Sequence, residues 1–130
     1  HRQIAILREI NPTPLLEINP ADAARIGLHD GQWCRIENQY GSAAYKAKVT
    51  QKVRVGHVEA EHGWWFPEQD GSEPSLFGVF QTNCNDLVPT HHNNNLGLGA
   101  PYKSNCCNVV PIAENYDVDM IEFDKRFGVK

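Results

Sequence analysis

Ile18-Asn19-Pro20-Ala21-Asp22-Ala23-Ala24-Arg25-Ile26-Gly27-Leu28-His29-Asp30-Gly31 is the stretch from which the rest of the chain can be ordered. Asn19 can cap a helix, because its side-chain oxygen accepts from the free amides of a first turn. Pro20 suits the first helical position, where its missing N–H costs nothing. Asp22 favours the positive start of the helix, and Gly27 can take the left-handed conformation that ends one. The pattern predicts a helix of about two turns, and Asp30-Gly31 then makes a turn. Working outward, residues 15–18 read as a short strand before the helix and residues 32–38 as a strand after it, with Gly41 at the next turn. Residues 42–50 alternate, with Ala43, Tyr45, Ala47 and Val49 on one face and Ala44, Lys46, Lys48 and Thr50 on the other. A period of two means a half-buried strand. Further strands are expected at 57–61, 76–81 and 106–112, with polar loops at 67–75 and 86–105. A polar loop as long as the second is usually functional in a small domain.

The composition agrees with a mainly β domain. The chain has 130 residues, 41% of them hydrophobic, so one domain with a real core is expected. Ten glycines and eight prolines fall at intervals, as in many short elements joined by turns. Many short strands with one or two short helices suggest a closed barrel, which removes exposed strand edges. The formal net charge is −4 with scattered basic residues, so the basic patch that nucleic-acid binding needs is missing. No apolar run approaches the roughly 20 residues that span a bilayer, and no signal peptide is seen. Cys34, Cys84, Cys106 and Cys107 include no Cys-x-x-Cys pair. They read as plain thiols rather than metal ligands, which suits a reducing cytoplasm without excluding a periplasmic home.

Few residues suggest chemistry by themselves. His91 and His92 are adjacent and would point apart on a strand, and His29 sits in a turn, so no converging metal set emerges. Glu59 and Glu61 would share a strand face, which is more often solvated than catalytic. Gly63-Trp64-Trp65-Phe66-Pro67 is either core closure or a wall for a flat ligand. In Thr82-Asn83-Cys84-Asn85-Asp86-Leu87 the side-chain amides can pair with the edge of a purine or pterin, or they can simply cap turns. Lys103, after Tyr102, can meet a phosphate.

Taken together, these pieces resemble one family. The run Ile18 to Gly31, the strand ending Arg35-Ile36-Glu37-Asn38, and then Gly41 resemble the molybdopterin-dinucleotide-binding domain, the last domain of the dimethyl-sulfoxide-reductase superfamily. Asn83-Cys84-Asn85-Asp86-Leu87, Ala100-Pro101-Tyr102-Lys103 and Cys107-Asn108-Val109 follow in the family's order. Gly63 to Pro67 is similar to the acetylene-hydratase-like and thiosulfate-reductase-like branch. The resemblance implies a double-psi β-barrel over residues 1–114 followed by a C-terminal tail, 115–130. It implies a molybdenum or tungsten ion held by two pterin guanine dinucleotides (bis-MGD), which the barrel caps and orients. The cofactor-binding role carries over to Arg2, Gln3, Leu7, Arg8, His62, Asn83, Asn85, Tyr102 and Lys103. The family's metal ligand and catalysis lie in upstream domains, so no catalytic or metal-ligating residue is expected here and the fragment alone should be inactive. The implied partners are those upstream domains of the same polypeptide and an iron–sulfur electron-transfer subunit. Two other uses of such a barrel stand beside this one. One is a stand-alone protein-binding module. The other is a self-cleaving decarboxylase-type enzyme, against which Gly41-Ser42 and Gly71-Ser72 sit in ordinary turns.

Overall fold

The computed structural model describes residues 4–89, 103 and 105–117. Its elements in order are helix α1 (Ala5–Ile10), strand β1 (Leu15–Ile18), helix α2 (Pro20–Ile26), strands β2 (Trp33–Glu37), β3 (Ser42–Val49) and β4 (Val58–Ala60), two 3-10 helices (Leu76–Gln81 and Cys84–Leu87), and strand β5 (Asn108–Pro111). The protein is mainly sheet with a few short helices.

Local chemistry accounts for α2. Asn19 Oδ1 accepts from the Ala21 amide at 3.0 Å, and Pro20 takes the first helical position. Gly27 ends the helix at φ 68°, and the Leu28 amide returns to the Ala23 carbonyl at 2.9 Å. Asp22 goes further than the helix start it is expected to favour. It is buried, meets Arg25 at 2.8 Å, and accepts from the Gly56 amide at 2.6 Å. This pins the loop before β4 to the helix.

The strands form one mixed five-stranded sheet, ordered β4-β1-β3-β2-β5. β1 runs parallel to β3, with Leu16 opposite Ala47, and the other pairings are antiparallel. The core gathers Leu16, Ile18, Ala23, Leu28, Cys34, Ile36, Ala43, Tyr45, Ala47 and Leu87. The alternation in β3 holds for Ala43, Tyr45 and Ala47, but Ala44 is buried as well. The first half of β3 is therefore covered on both faces, and only Lys48 is exposed within the strand's second half.

One expected strand is corrected. Residues 76–81 form a kinked 3-10 helix in which Phe77 and Gly78 have left-handed φ of 60° and 63°. This segment bonds to its own loop rather than to the sheet. The Phe77 amide donates to Asp70 O and the Phe66 amide to Phe77 O, both at 2.8 Å. β1 coincides with its expected range, and the other strands fall within theirs but are shorter at one or both ends. Of the long polar loop expected at 86–105, residues 90–102 and 104 lie outside the described residues, and its start belongs to the second 3-10 helix. Trp64 and Phe66 are buried, so the aromatic run closes the core there, while Trp65 packs edge-on to Phe77. The described part of the tail touches the sheet: Asp117 accepts from Trp33 Nε1 and Lys46 Nζ, and Tyr116 meets the Trp33 ring at 5.2 Å.

Candidate functional site

The second 3-10 helix is built by Asn83, Leu87 and the β2–β3 turn. Asn83 Oδ1 accepts from the Asn85 amide at 3.2 Å, and Asn83 Nδ2 donates to Asp86 Oδ1 at 2.9 Å. Both ends of the Asn83 side chain are thus spent on the turn. Leu87 anchors the turn in the core, and its carbonyl accepts from Asn38 Nδ2 at 2.8 Å. Just upstream, Thr82 is fully buried and its carbonyl lies 3.3 Å from the Tyr45 hydroxyl. Its own hydroxyl has no partner among the described residues. Cys84 packs against the core, and burial raises its thiol above the ordinary range, opposed by a hydrogen bond with Tyr45.

Asn85 stands apart in this turn. Its side chain is exposed and makes no hydrogen bond among the described residues. A free carboxamide offers two donors and an acceptor, which is the set that pairs with the edge of a heterocycle. Lys103 is also exposed and supplies a cationic donor for a phosphate or a ring oxygen. This donor set fits a polar, anionic, heterocyclic ligand. It lacks the converging His, Cys, Asp or Glu groups that hold a metal, and no such cluster occurs among the described residues.

The other expected ligand contacts sit on different elements. Leu7 lies on α1 and is 40% exposed. Its neighbour Arg8 turns inward, is fully buried, and forms an ion pair with Glu68. Desolvation lowers the Arg8 guanidinium to about 10. The pair ties α1 to the loop after Pro67. His62 is exposed just after β4. Arg2, Gln3 and Tyr102 lie outside the described residues. The structure thus brings Asn83 and Asn85 together on one turn and Leu7 and Arg8 together on one helix.

Three residues important to this arrangement do not stand out as site residues in the sequence. Asn38 reads there as the end of a strand and Tyr45 as one member of an alternating strand, but both reach the Thr82–Leu87 segment. Glu61 reads as part of a solvated face. Its carboxylate instead accepts from the Leu15 amide at 3.1 Å and from Asn11 Nδ2 at 2.9 Å. The bonds join residues at least 37 positions apart, so only the Asn-x-x-Gly spacing at 38–41 offered a local signal.

The model of the molydopterin dinucleotide binding domain matches residues 1–106. The chain belongs to this family. Among its relatives, the dopamine dehydroxylase of Eggerthella lenta is 40% identical over 68 residues, 52% of this chain and 7% of that protein. The dimethyl sulfoxide reductase DmsA of Escherichia coli is 32% identical over 92 residues, covering 71% of this chain and 11% of that protein. The structure of acetylene hydratase from Pelobacter acetylenicus superposes with a TM-score of 0.78 at 25% identity, covering 86% of this chain and 16% of that one. The chain therefore spans about a tenth of the length of such relatives. No helix among the described residues is long and apolar enough to cross a membrane.

Proposed function

We propose that this dinucleotide-binding domain caps a bis-MGD cofactor within a molybdenum or tungsten oxidoreductase, orienting it while the metal ligand and catalysis reside in upstream domains. The observation that carries the reading is the division of labour in the Asn83–Leu87 turn: both ends of the Asn83 side chain bond within the turn, while the exposed Asn85 side chain makes no hydrogen bond among the described residues. On this reading Asn85 pairs with a polar edge of a pterin or guanine. Lys103 takes a phosphate or ring oxygen. Leu7, His62, Arg2, Gln3 and Tyr102 line the same ligand, and Asn83 and Arg8 contribute by holding their segments in place. The cofactor supplies the redox-active metal centre; this chain's residues bind and orient it and keep water from its dinucleotide arms.

The finer architecture belongs to the same proposal. A double-psi barrel over residues 1–114 with a tail at 115–130 is supported by the mixed sheet, in which β1 pairs with β3 in parallel across the β2 hairpin, and by the likeness to acetylene hydratase. Partners would be the upstream domains and an iron–sulfur electron-transfer subunit. All four cysteines are free, which favours a cytoplasmic location.

The test is Asn85→Ala and Lys103→Ala in the full catalytic subunit. Each removes one ligand contact: a neutral hydrogen bond left unmade costs about 1–3 kcal/mol, and the charge-assisted one is typically stronger. Metal and guanine content should fall with normal melting. Full cofactor content in both variants would place the binding face elsewhere.

A further inference from the structure

Four hydrogen bonds converge on one side-chain amide. Asn38 Oδ1 accepts from the backbone amides of Tyr40 at 2.9 Å and Gly41 at 3.2 Å. Asn38 Nδ2 donates to the Leu87 carbonyl at 2.8 Å and, more weakly, to the Cys106 carbonyl at 3.5 Å. A carboxamide has two N–H donors and one acceptor oxygen. Here all are turned toward the protein, so Asn38 has nothing left to offer a ligand. The carbonyls it holds belong to the two segments that bear the free groups. Leu87 ends the turn carrying Asn85, and Cys106 follows Lys103 on the way into β5.

Gly41 makes the same junction by close approach. A Cβ there would lie 2.6 Å from the Asp86 carbonyl oxygen and 2.9 Å from Asp86 Cβ. Gly41 does not need a left-handed backbone, because its φ is outside the positive range. What it supplies is room, and the 3-10 helix at Cys84–Leu87 sits directly on the β2–β3 turn.

We propose that Asn38, seated against Gly41, is the positioning residue that sets the Asn83–Leu87 turn, which bears Asn85, in register with the chain at Cys106, three positions after Lys103 in the sequence. This rests on the cofactor reading above. Asn38 touches no ligand and acts through the Leu87 and Cys106 carbonyls. Because the sheet is anchored separately, through β3 and its neighbours, loosening the junction shifts Asn85 and Lys103 relative to one another without dissolving the core. A ligand that needs both contacts at once then loses affinity even though both side chains are intact.

The experiment uses the 130-residue chain with guanosine diphosphate (GDP) as probe, followed by NMR titration and amide hydrogen exchange. Asn38→Ser keeps an oxygen that can accept within the turn but is too short to reach Leu87. Gly41→Ala leaves Asn38 in place and wedges a methyl group against Asp86. The amides of Asp86 and Val88, bonded at 3.1 and 3.0 Å to Asn83 and Asn85 carbonyls, report on the junction. The Lys46 amide, bonded to Pro14 at 2.8 Å, reports on the sheet. In both variants exchange at Asp86 and Val88 should rise about tenfold, the factor expected when one or two ordinary hydrogen bonds are lost, with Lys46 unchanged. GDP affinity should fall about as far as in Asn85→Ala. Ile36→Ala, which weakens the core, should leave the affinity of the folded chain alone. Unchanged exchange at Asp86 and Val88 overturns the proposal, and so does faster exchange with wild-type GDP affinity. If the wild-type chain does not bind GDP, the test of the cofactor reading passes to the full catalytic subunit, and the exchange data alone decide whether Asn38 holds the junction.

Discussion

Tyr45→Phe removes one oxygen from the best-buried aromatic ring of the sheet, and the structure allows its cost to be worked out. Tyr45 is fully buried in the middle of β3. Its hydroxyl donates to the Glu61 carbonyl at 2.8 Å and lies 3.3 Å from the Thr82 carbonyl. One proton cannot serve both fully, so the Glu61 bond is the principal one and the Thr82 contact is secondary. Phenylalanine keeps the ring and its packing, so the loss is almost wholly that of the hydroxyl's hydrogen bonds, the weaker one with Cys84 included. A buried acceptor left without its donor costs about 1–3 kcal/mol. Glu61 is only half buried and can recruit water, whereas Thr82 cannot, which places the expected loss near about 2 kcal/mol. At this chain length each kcal/mol moves the melting temperature by roughly 3–5 °C, so the variant should melt about 6–10 °C lower. Thermal denaturation followed by circular dichroism, with chemical denaturation as a check on unchanged m, reads this directly. A loss under about 0.5 kcal/mol would refute the reasoning, because that is the size of an ordinary surface change.

Three further outcomes follow from single sites. Burial pushes the Cys34 thiol from 9.0 up to about 12. The stability contributed by the buried neutral thiol is therefore complete below pH 9 and is lost as the pH climbs toward 12. Urea denaturation across that window should show a shallower decline in Cys34→Ala than in wild type, and identical slopes would contradict it. Gly27→Ala meets no atom within 4 Å but must hold φ 68°. It should cost only the left-handed strain, about 1–2 kcal/mol, measurable as a lowered urea midpoint. Ile36 is 4% exposed, so Ile36→Ala should cost roughly 2–5 kcal/mol in the same assay.

What was legible in the sequence was local. The Asn19-Pro20 start and the Gly27 stop of α2 are both written within one helix length, and the structure reproduces each. The alternation at 42–50 marks β3 because the pleat repeats every two residues. The segment 76–81 misleads for the same reason. Leu76, Phe77, Val79 and Phe80 are apolar, and hydrophobicity alone does not say whether a backbone finds its partner in a sheet or in its own loop. Here Phe77 bonds to Asp70 and Phe66, and the chain folds back into left-handed φ. The parallel pairing of β1 with β3 is also a long-range fact, since β2 and α2 lie between them in sequence.

The site divides along the same line. Family resemblance points to both Asn83 and Asn85, and most strongly to Asn85, but residue type does not separate them. The fold does, because Asp86 and the Asn85 amide both turn toward Asn83 and engage each end of its side chain, while the Asn85 side chain has no such partner among the described residues. Arg8 differs in a similar way. An arginine near an anionic ligand suggests a phosphate contact, but Glu68 faces it here, and a buried guanidinium that lost such a partner would be costly to keep charged. Asn38 reverses the pattern, since an asparagine that reads only as a strand end reaches Leu87 and Cys106. Saturation is therefore the property that sorts polar residues in this domain. Among the described residues, the Asn38 carboxamide is consumed by the chain and shapes the surface, whereas the exposed Asn85 side chain keeps its donors and acceptor, and the cofactor reading assigns them to the ligand. Saturation depends on which residues the fold brings opposite one another, so it cannot be read one residue at a time.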